Sequence, residues 1–166
     1  MSDFSEQVEA SIVVADFVNV DQVGKANIIG GGIRVMPVHP ETALTNPFGV
    51  LVTFTSPLAG DEAAFELLLT TATGEVVTVG GPAGEQAIRI SQNILFPEPS
   101  IPIVAGTPQL SLPKGALPSN LQYAINFGSG LPLSPGNSYQ FRAQLDHDTR
   151  AVYSFYVPKV PKPVLG

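Results

Sequence analysis

Asp146, His147 and Asp148 are three consecutive side chains that could bind a metal ion. Carboxylate oxygens and imidazole nitrogens are ligands of divalent metals, so this run would suit a metal-dependent enzyme. Side chains of adjacent residues diverge in a tight turn, however, and Asp is common there because it hydrogen-bonds to nearby backbone. The sequence therefore favours a turn between two strands over a metal centre, and we expect no metal or other cofactor.

Four other groups of residues could do chemistry, but their context argues against it. His39 lies in a predicted loop, and no motif brings a serine and an aspartate to it. Asp16 and Asp21 could be paired catalytic carboxylates, but their positions around a predicted turn favour capping of its backbone. The glycines at 30–32 lack the helix, lysine and hydroxyl residue of a phosphate-binding loop, so they predict a bulge or a close approach of another backbone. The Gly-Ser-Gly at 128–130 lacks the spacing of a nucleophile elbow, and we predict that the protein is not an enzyme.

The charge of the chain excludes further classes of function. Eight lysines and arginines stand against fourteen aspartates and glutamates, which gives a formal net charge of −6. The basic residues are scattered, whereas proteins that bind nucleic acid present a clustered cationic surface. The longest apolar runs, such as residues 11–17, are far shorter than the ~20 residues that span a bilayer. We therefore expect neither nucleic acid nor a membrane as a partner.

The N-terminus and the cysteine content bear on where the protein folds. The acidic N-terminus is unlike the basic and apolar start of a signal peptide. The chain has no cysteine, which excludes a disulfide framework and a thiol nucleophile and suits a reducing compartment. We expect folding in a cytoplasm, which is the host's cytoplasm if a phage encodes the protein.

The composition also says something about the surface. Charged residues make up 13% of the chain, against ~25% in ordinary soluble domains. Hydrophobic residues make up 44%, which excludes a disordered chain. A surface with few charges tends to carry apolar patches, and such patches are commonly interfaces. The composition therefore predicts contact with another protein or with a second copy of this chain.

Alternating apolar and polar residues predict β-strands along most of the chain, and helix signals are thin. The clearest alternation covers residues 139–146. Other alternating segments are found at 48–54, 65–69 and 121–127 and beside Arg34 and Arg89. In the segment at 65–69, Glu66 is predicted to face outward. Residues 11–17 are more continuously apolar, which predicts a central strand covered on both faces. We predict a single Ig-like antiparallel β-sandwich of nine or ten strands over residues 8–157.

Glycines and prolines divide these segments. Loops are predicted at residues 71–74, with Gly74 at positive φ, and at 80–84 and 146–149. Prolines are concentrated from 97 to 135, so strands there are predicted to be sheet edges or extended loop, with 97–118 as a proline-rich excursion. Residues 1–7 are predicted to be an extended N-terminal arm and residues 158–166 a proline-rich C-terminal tail.

One local motif has a structural mechanism. Leu133, Pro135, Gly136 and Tyr139 match the pattern Leu-x-Pro-Gly-x-x-Tyr of a tyrosine corner. In that motif a tyrosine at the start of a strand directs its hydroxyl to a backbone group a few residues upstream. The match favours an Ig-like sandwich and a structural role for Tyr139.

The segment from Ala15 to Gly32 resembles the opening of a family of uncharacterised bacterial and actinophage proteins. Their pattern is Ala-Asp-aromatic, then Asp, then Gly-Lys-x-Asn followed by two apolar residues and three glycines. The C-terminal part is similar too, with Pro135-Gly136, Tyr139-x-Phe141 and Phe155-x-Val157, whereas residues 97–118 show little similarity. The resemblance implies a small β-sandwich without a known activity, and its phage members make a role in the virion an expectation.

The leading functional hypothesis is a non-enzymatic structural protein, most concretely an accessory (decoration) protein of a phage virion that binds coat protein or itself. It would be located in the virion if phage-encoded and in the cytoplasm otherwise. The predicted contacts lie in the C-terminal tail and the proline-rich excursion, at Phe96, Ile101, Ile103, Val160, Val164 and Leu165. The alternative is a sandwich that binds a glycan or small ligand. The absence of tryptophan and the core-facing register of most tyrosines and phenylalanines argue against that alternative.

Overall fold

The computed structural model describes residues 7–101 and 111–159, which form eleven β-strands and no helix. The all-β prediction is confirmed, and the described residues contain one or two strands more than expected because two short hairpins join the main strands. The strands are β1 (Glu9–Ala15), β2 (Phe17–Val20), β3 (Ala26–Ile29), β4 (Phe48–Ser56), β5 (Glu62–Thr71), β6 (Thr78–Gly81), β7 (Gly84–Ala87), β8 (Arg89–Leu95), β9 (Ser119–Phe127), β10 (Asn137–Leu145) and β11 (Asp148–Val157).

Two antiparallel sheets form the body of a β-sandwich. The first has the strand order β1-β4-β9 and the second the order β11-β10-β5-β8. Two further pairs, β2-β3 and β6-β7, are separate hairpins. The strand β9, which follows the proline-rich excursion, lies at an edge, as predicted.

Aromatic rings from both sheets meet in the core. Phe54 of β4 packs edge-to-face on Phe65 of β5 with ring centroids 5.2 Å apart. Phe48 of β4 lies 6.0 Å from Phe141 of β10, and Phe141 stacks on Phe155 of β11 at 5.5 Å. Each buried ring contributes about 1.5–3 kcal/mol of transfer free energy. The period-two alternation in the sequence is what directs these rings to one face of each strand.

The position of β1 differs from the prediction. It is an edge strand that pairs with β4 alone, although apolar residues do cover both of its faces. Its free edge is covered by the segment that follows β3, because the Gly32 and Ile33 amides both donate to the Val14 carbonyl at 2.9 and 3.0 Å. The run at 11–17 is continuously apolar because both faces of β1 are covered, not because β1 is a central strand of the sheet.

The same segment continues to the other sheet. The Tyr156 amide donates to the Arg34 carbonyl, and the Met36 amide donates to the Tyr156 carbonyl, both at 2.9 Å. The predicted strand around Arg34 is therefore a connector with one bridge, Val35 to Tyr156, that joins the edges of β1 and β11. This connector closes one side of the sandwich.

The predicted tyrosine contact is present. The Tyr139 hydroxyl donates to the Ser134 carbonyl at 3.2 Å and accepts from the Ser134 amide at 3.0 Å. Gly136 has a φ of +83°, which favours glycine, and its amide donates to the Val157 carbonyl at 2.7 Å. Leu133 is buried beneath this turn.

Candidate interaction surface

The strands β2 and β3 form a hairpin that lies on the outer face of the three-stranded sheet. Its turn is closed by Asp21, whose carboxylate accepts from the Val23 amide at 3.0 Å and the Lys25 amide at 2.8 Å. Asp21 therefore caps a turn, in agreement with the capping interpretation of the sequence. Gly24, with a φ of +78°, completes the reversal of the chain.

One face of this hairpin is buried against the sheet. Val18 is fully buried and forms a small apolar cluster with Ala15 and Leu51, and Val20 and Ala26 pack at its border. Because Phe17 alternates with Val18 along the strand, it is directed away from the sheet. The hairpin thus has an attached face and an outer face.

A side-chain amide from β9 holds the hairpin in place. The Val18 amide donates to Asn126 Oδ1 at 3.2 Å, and Asn126 Nδ2 donates to the Val18 carbonyl at 2.8 Å. This close approach requires glycine at position 49, where a Cβ would lie 2.6 Å from Asn126 Oδ1 and 2.7 Å from Val18 Cγ2. Two backbone groups in the middle of β2 are therefore tied to the sheet.

The outer face of the hairpin is apolar and exposed. Phe17 and Ile29 are direct partners across the hairpin, and the two residues are 48% and 63% exposed. Directly opposed side chains in an antiparallel pair lie about 5 Å apart at Cβ, so the two form one continuous apolar surface. We call Phe17 and Ile29 the hairpin face.

A small cleft lies beside the start of the hairpin. It has a volume of about 150 Å³ and is lined by Asp16, by the polar residues Thr45 and Asn46, and by apolar residues that include Val35 and Phe48. Asp16 also lies against Gly30, where a Cβ would collide with its carboxylate, so the close approach predicted for the glycines at 30–32 involves a side chain at this position.

The first two residues of the Asp-His-Asp run, Asp146 and His147, form a two-residue hairpin turn, and Asp148 begins β11. Asp146 and His147 have φ values of +48° and +73° and join Leu145 to Asp148, which is the geometry of a tight turn between antiparallel strands. The Asp146 carboxylate accepts from the Ala64 amide at 2.9 Å, and Asp148 pairs with Arg150 at 3.3 Å. Within residues 7–101 and 111–159, no group of three or more histidines, aspartates and glutamates is placed to hold a metal ion.

The structure places two of the six predicted contact residues. Phe96 is completely buried, with its ring 6.4 Å from that of Phe54, so the prediction that it contacts a partner is wrong. An apolar residue beside a proline-rich loop cannot be assigned to core or surface without knowing which strands lie above it. Ile101 is exposed. The remaining four, Ile103, Val160, Val164 and Leu165, lie outside the described residues.

The hairpin face was missed by the sequence reasoning. A signal for it exists in the residues, because Phe17 and Val18 on one strand and Ile28 and Ile29 on the other are apolar at adjacent positions. Adjacent apolar residues in a short strand place apolar groups on both faces, and only one face can lie on the sheet.

Comparison with known proteins does not assign this chain to a family. No protein-family model matches the chain, and no curated protein matches it significantly. Among the residues that the structure describes, there is no helix of the length and hydropathy needed to cross a membrane.

Proposed function

We propose that this chain is a non-enzymatic structural protein that attaches to another protein through the hairpin face, most concretely an accessory protein on a phage particle that binds the coat protein. The observation that supports the proposal is the exposed Phe17–Ile29 pair on a hairpin that is itself tied to the sheet. A partner that covers both side chains would gain about 1–2 kcal/mol from each, because each is already partly buried.

The anchoring of the hairpin matters as much as its apolar character. Ordering a loose loop on binding costs free energy, whereas a preformed surface avoids most of that cost. The paired hydrogen bonds between Asn126 and Val18 hold the hairpin before any partner arrives. The low charge content of 13% supports the same role, because few charges oppose the approach of an apolar partner surface.

The phage assignment has a separate support. The segment that resembles bacterial and actinophage proteins, from Ala15 to Gly32, contains the whole hairpin. The surface proposed for attachment is therefore formed by one of the two parts of the chain on which the resemblance rests.

Particle incorporation tests the proposal. Phage particles are purified from cells that produce the tagged chain, and its copy number per particle is measured by quantitative mass spectrometry. We expect incorporation of the native chain and at least a ~10-fold loss for Phe17→Ser/Ile29→Ser, which corresponds to about 1.4 kcal/mol. Val76→Ser, at an exposed valine outside the hairpin, is the matched control.

Two results would contradict the proposal. Equal incorporation of the double variant would exclude the hairpin face, and absence of the native chain from every particle would exclude the virion role. Clear hits on a glycan array, lost in the same double variant, would instead favour a ligand-binding sandwich.

A further inference from the structure

The edge strand β9 lacks the usual protection of a sheet edge. It pairs with β4 over nine consecutive residues, from Phe127 opposite Phe48 to Ser119 opposite Ser56, with no register shift. None of its residues is charged, and none is proline. Natural edge strands are commonly interrupted by lysine, proline or a bulge because an unmodified edge is a template for another strand.

The hydrogen-bond pattern shows which backbone groups of β9 point outward. The Val14 carbonyl accepts from Gly32 and Ile33, so Val14 of β1 faces away from β4. Antiparallel strands alternate between pairs that face each other and pairs that face apart. Following the registers of β1, β4 and β9, the backbone groups of Asn120, Gln122 and Ala124 face away from β4.

These outward groups are unused within the described part of the chain. Among residues 7–101 and 111–159, the outward-facing backbone groups of Asn120, Gln122 and Ala124 make no hydrogen bond. On the inner side, Leu121, Tyr123 and Ile125 are only partly buried, and Tyr123 stacks on Phe65 with centroids 5.3 Å apart. The edge therefore offers both hydrogen-bonding groups and apolar surface.

We propose that β9 pairs with β9 of a second copy of this chain, antiparallel and centred on Tyr123. This register uses all nine residues and places Gln122 opposite Ala124 of the other copy and Leu121 opposite its Ile125. At the central inner positions apolar residues then meet apolar residues, Ser119 lies opposite Phe127 at each end, and no like charges are opposed because the strand has none. The two three-stranded sheets become one six-stranded sheet with a closed twofold interface.

The inference goes beyond the proposed function, because it uses a surface separate from the hairpin face. A second copy is favoured over an unrelated strand because one sequence matches itself over the full strand length. A foreign strand would need its own apolar residues in this register.

The first experiment measures oligomeric state by sedimentation velocity. We expect a dimer for the native chain and at least a ~10-fold weaker dimer for Gln122→Lys, because a lysine on an edge strand opposes strand pairing and the twofold would place the lysines of the two copies at diagonal positions on one face of the new sheet. The matched control is Ser11→Lys, on the same outer face but on the opposite edge strand, which should remain dimeric. Thermal unfolding monitored by circular dichroism confirms that both variants fold. A monomeric native chain would overturn the inference.

The second experiment tests the register, and it is clean because the chain has no cysteine. Gln122→Cys and Ala124→Cys proteins carrying different tags are mixed and oxidised. Residues in a hydrogen-bonded pair have Cα atoms about 5.5 Å apart, within the range of a disulfide. We expect the mixed disulfide to dominate, whereas cross-links only between identical copies, or none, would overturn the register.

The two proposals can fail separately. Phe17→Ser/Ile29→Ser should dimerise like the native chain. A chain that enters particles but stays monomeric would remove only the β9 pairing, and a dimer that never enters particles would remove only the virion role.

Discussion

Glu66 of β5 and Arg89 of β8 form an ion pair on the outer face of the four-stranded sheet, and the carboxylate is far more buried than the guanidinium. Their side chains are 8% and 49% exposed. Glu66 was predicted to face outward, and it does lie on the outer face, but its neighbours cover it. A carboxylate in such a place depends on its counter-charge, because burying it alone would cost several kcal/mol.

Removing the guanidinium should therefore destabilise the fold. We expect Arg89→Met to lower the free energy of unfolding by about 1–3 kcal/mol, measured by urea denaturation at neutral pH. The comparison is Arg89→Met in a Glu66→Gln background, where no buried charge loses its partner and the substitution should cost less than about 0.5 kcal/mol. Equal costs in the two backgrounds would show that burial of the Glu66 charge is not what makes the pair important.

The hydrogen bonds between Asn126 and Val18 lead to a prediction about the hairpin. Asn126→Ala removes both bonds, so the free energy of unfolding should fall by about 2 kcal/mol. Hydrogen exchange at the Val18 amide should accelerate at the same time. Asn120→Ala, at an exposed asparagine on the same face of β9, should leave both quantities unchanged. An unchanged exchange rate at Val18 in the Asn126 variant would mean that packing alone holds β2.

Gly49 should tolerate no side chain while Asn126 is present. Gly49→Ala should cost about 1–3 kcal/mol because its Cβ would overlap Asn126 Oδ1 and Val18. The cost should shrink in the Asn126→Ala background, since one of the two clashes is gone. Gly80→Ala is the control, because a Cβ there meets nothing within 4 Å. Strict additivity of the two substitutions would contradict the proposed clash.

The contact between Tyr139 and Ser134 should be worth about 1–2 kcal/mol. Tyr139→Phe keeps the buried ring and removes only the hydroxyl that bonds to both backbone groups of Ser134. Tyr156→Phe removes the hydroxyl of an exposed ring and should have almost no effect. Chemical denaturation of both variants checks this prediction. Equal midpoints would show that the corner does not stabilise the turn.

Alkaline pH should destabilise the protein through Tyr123. Burial raises the pKa of the Tyr123 phenol above its ordinary value of 10.0. Above that value the unfolded chain ionises while the folded chain stays neutral, so the free energy of unfolding falls as the pH rises. Below that value the Tyr123 phenol is neutral in both states, so its contribution to the free energy of unfolding does not change with pH. Stability measured across this range should decline less steeply in Tyr123→Phe, and an identical slope would assign the decline to other groups.

Local patterns in the sequence determined much of this fold. The alternation at residues 139–146, the turn at Asp146 and His147 and the contact of Tyr139 with Ser134 all involve residues within a few positions of one another. Side-chain alternation and turn geometry are properties of short segments, so they can be predicted without knowing how the chain folds back.

Which surfaces are covered was decided only by the tertiary structure. Val18 and Asn126 are 108 positions apart, and their hydrogen bonds determine which face of the β2–β3 hairpin lies on the sheet and which face exposes Phe17. Phe96 is buried for the same kind of reason, because the ring of Phe54 on a distant strand packs against it. An alternating pattern says that a strand has two faces, but long-range packing selects the face that meets solvent or a partner.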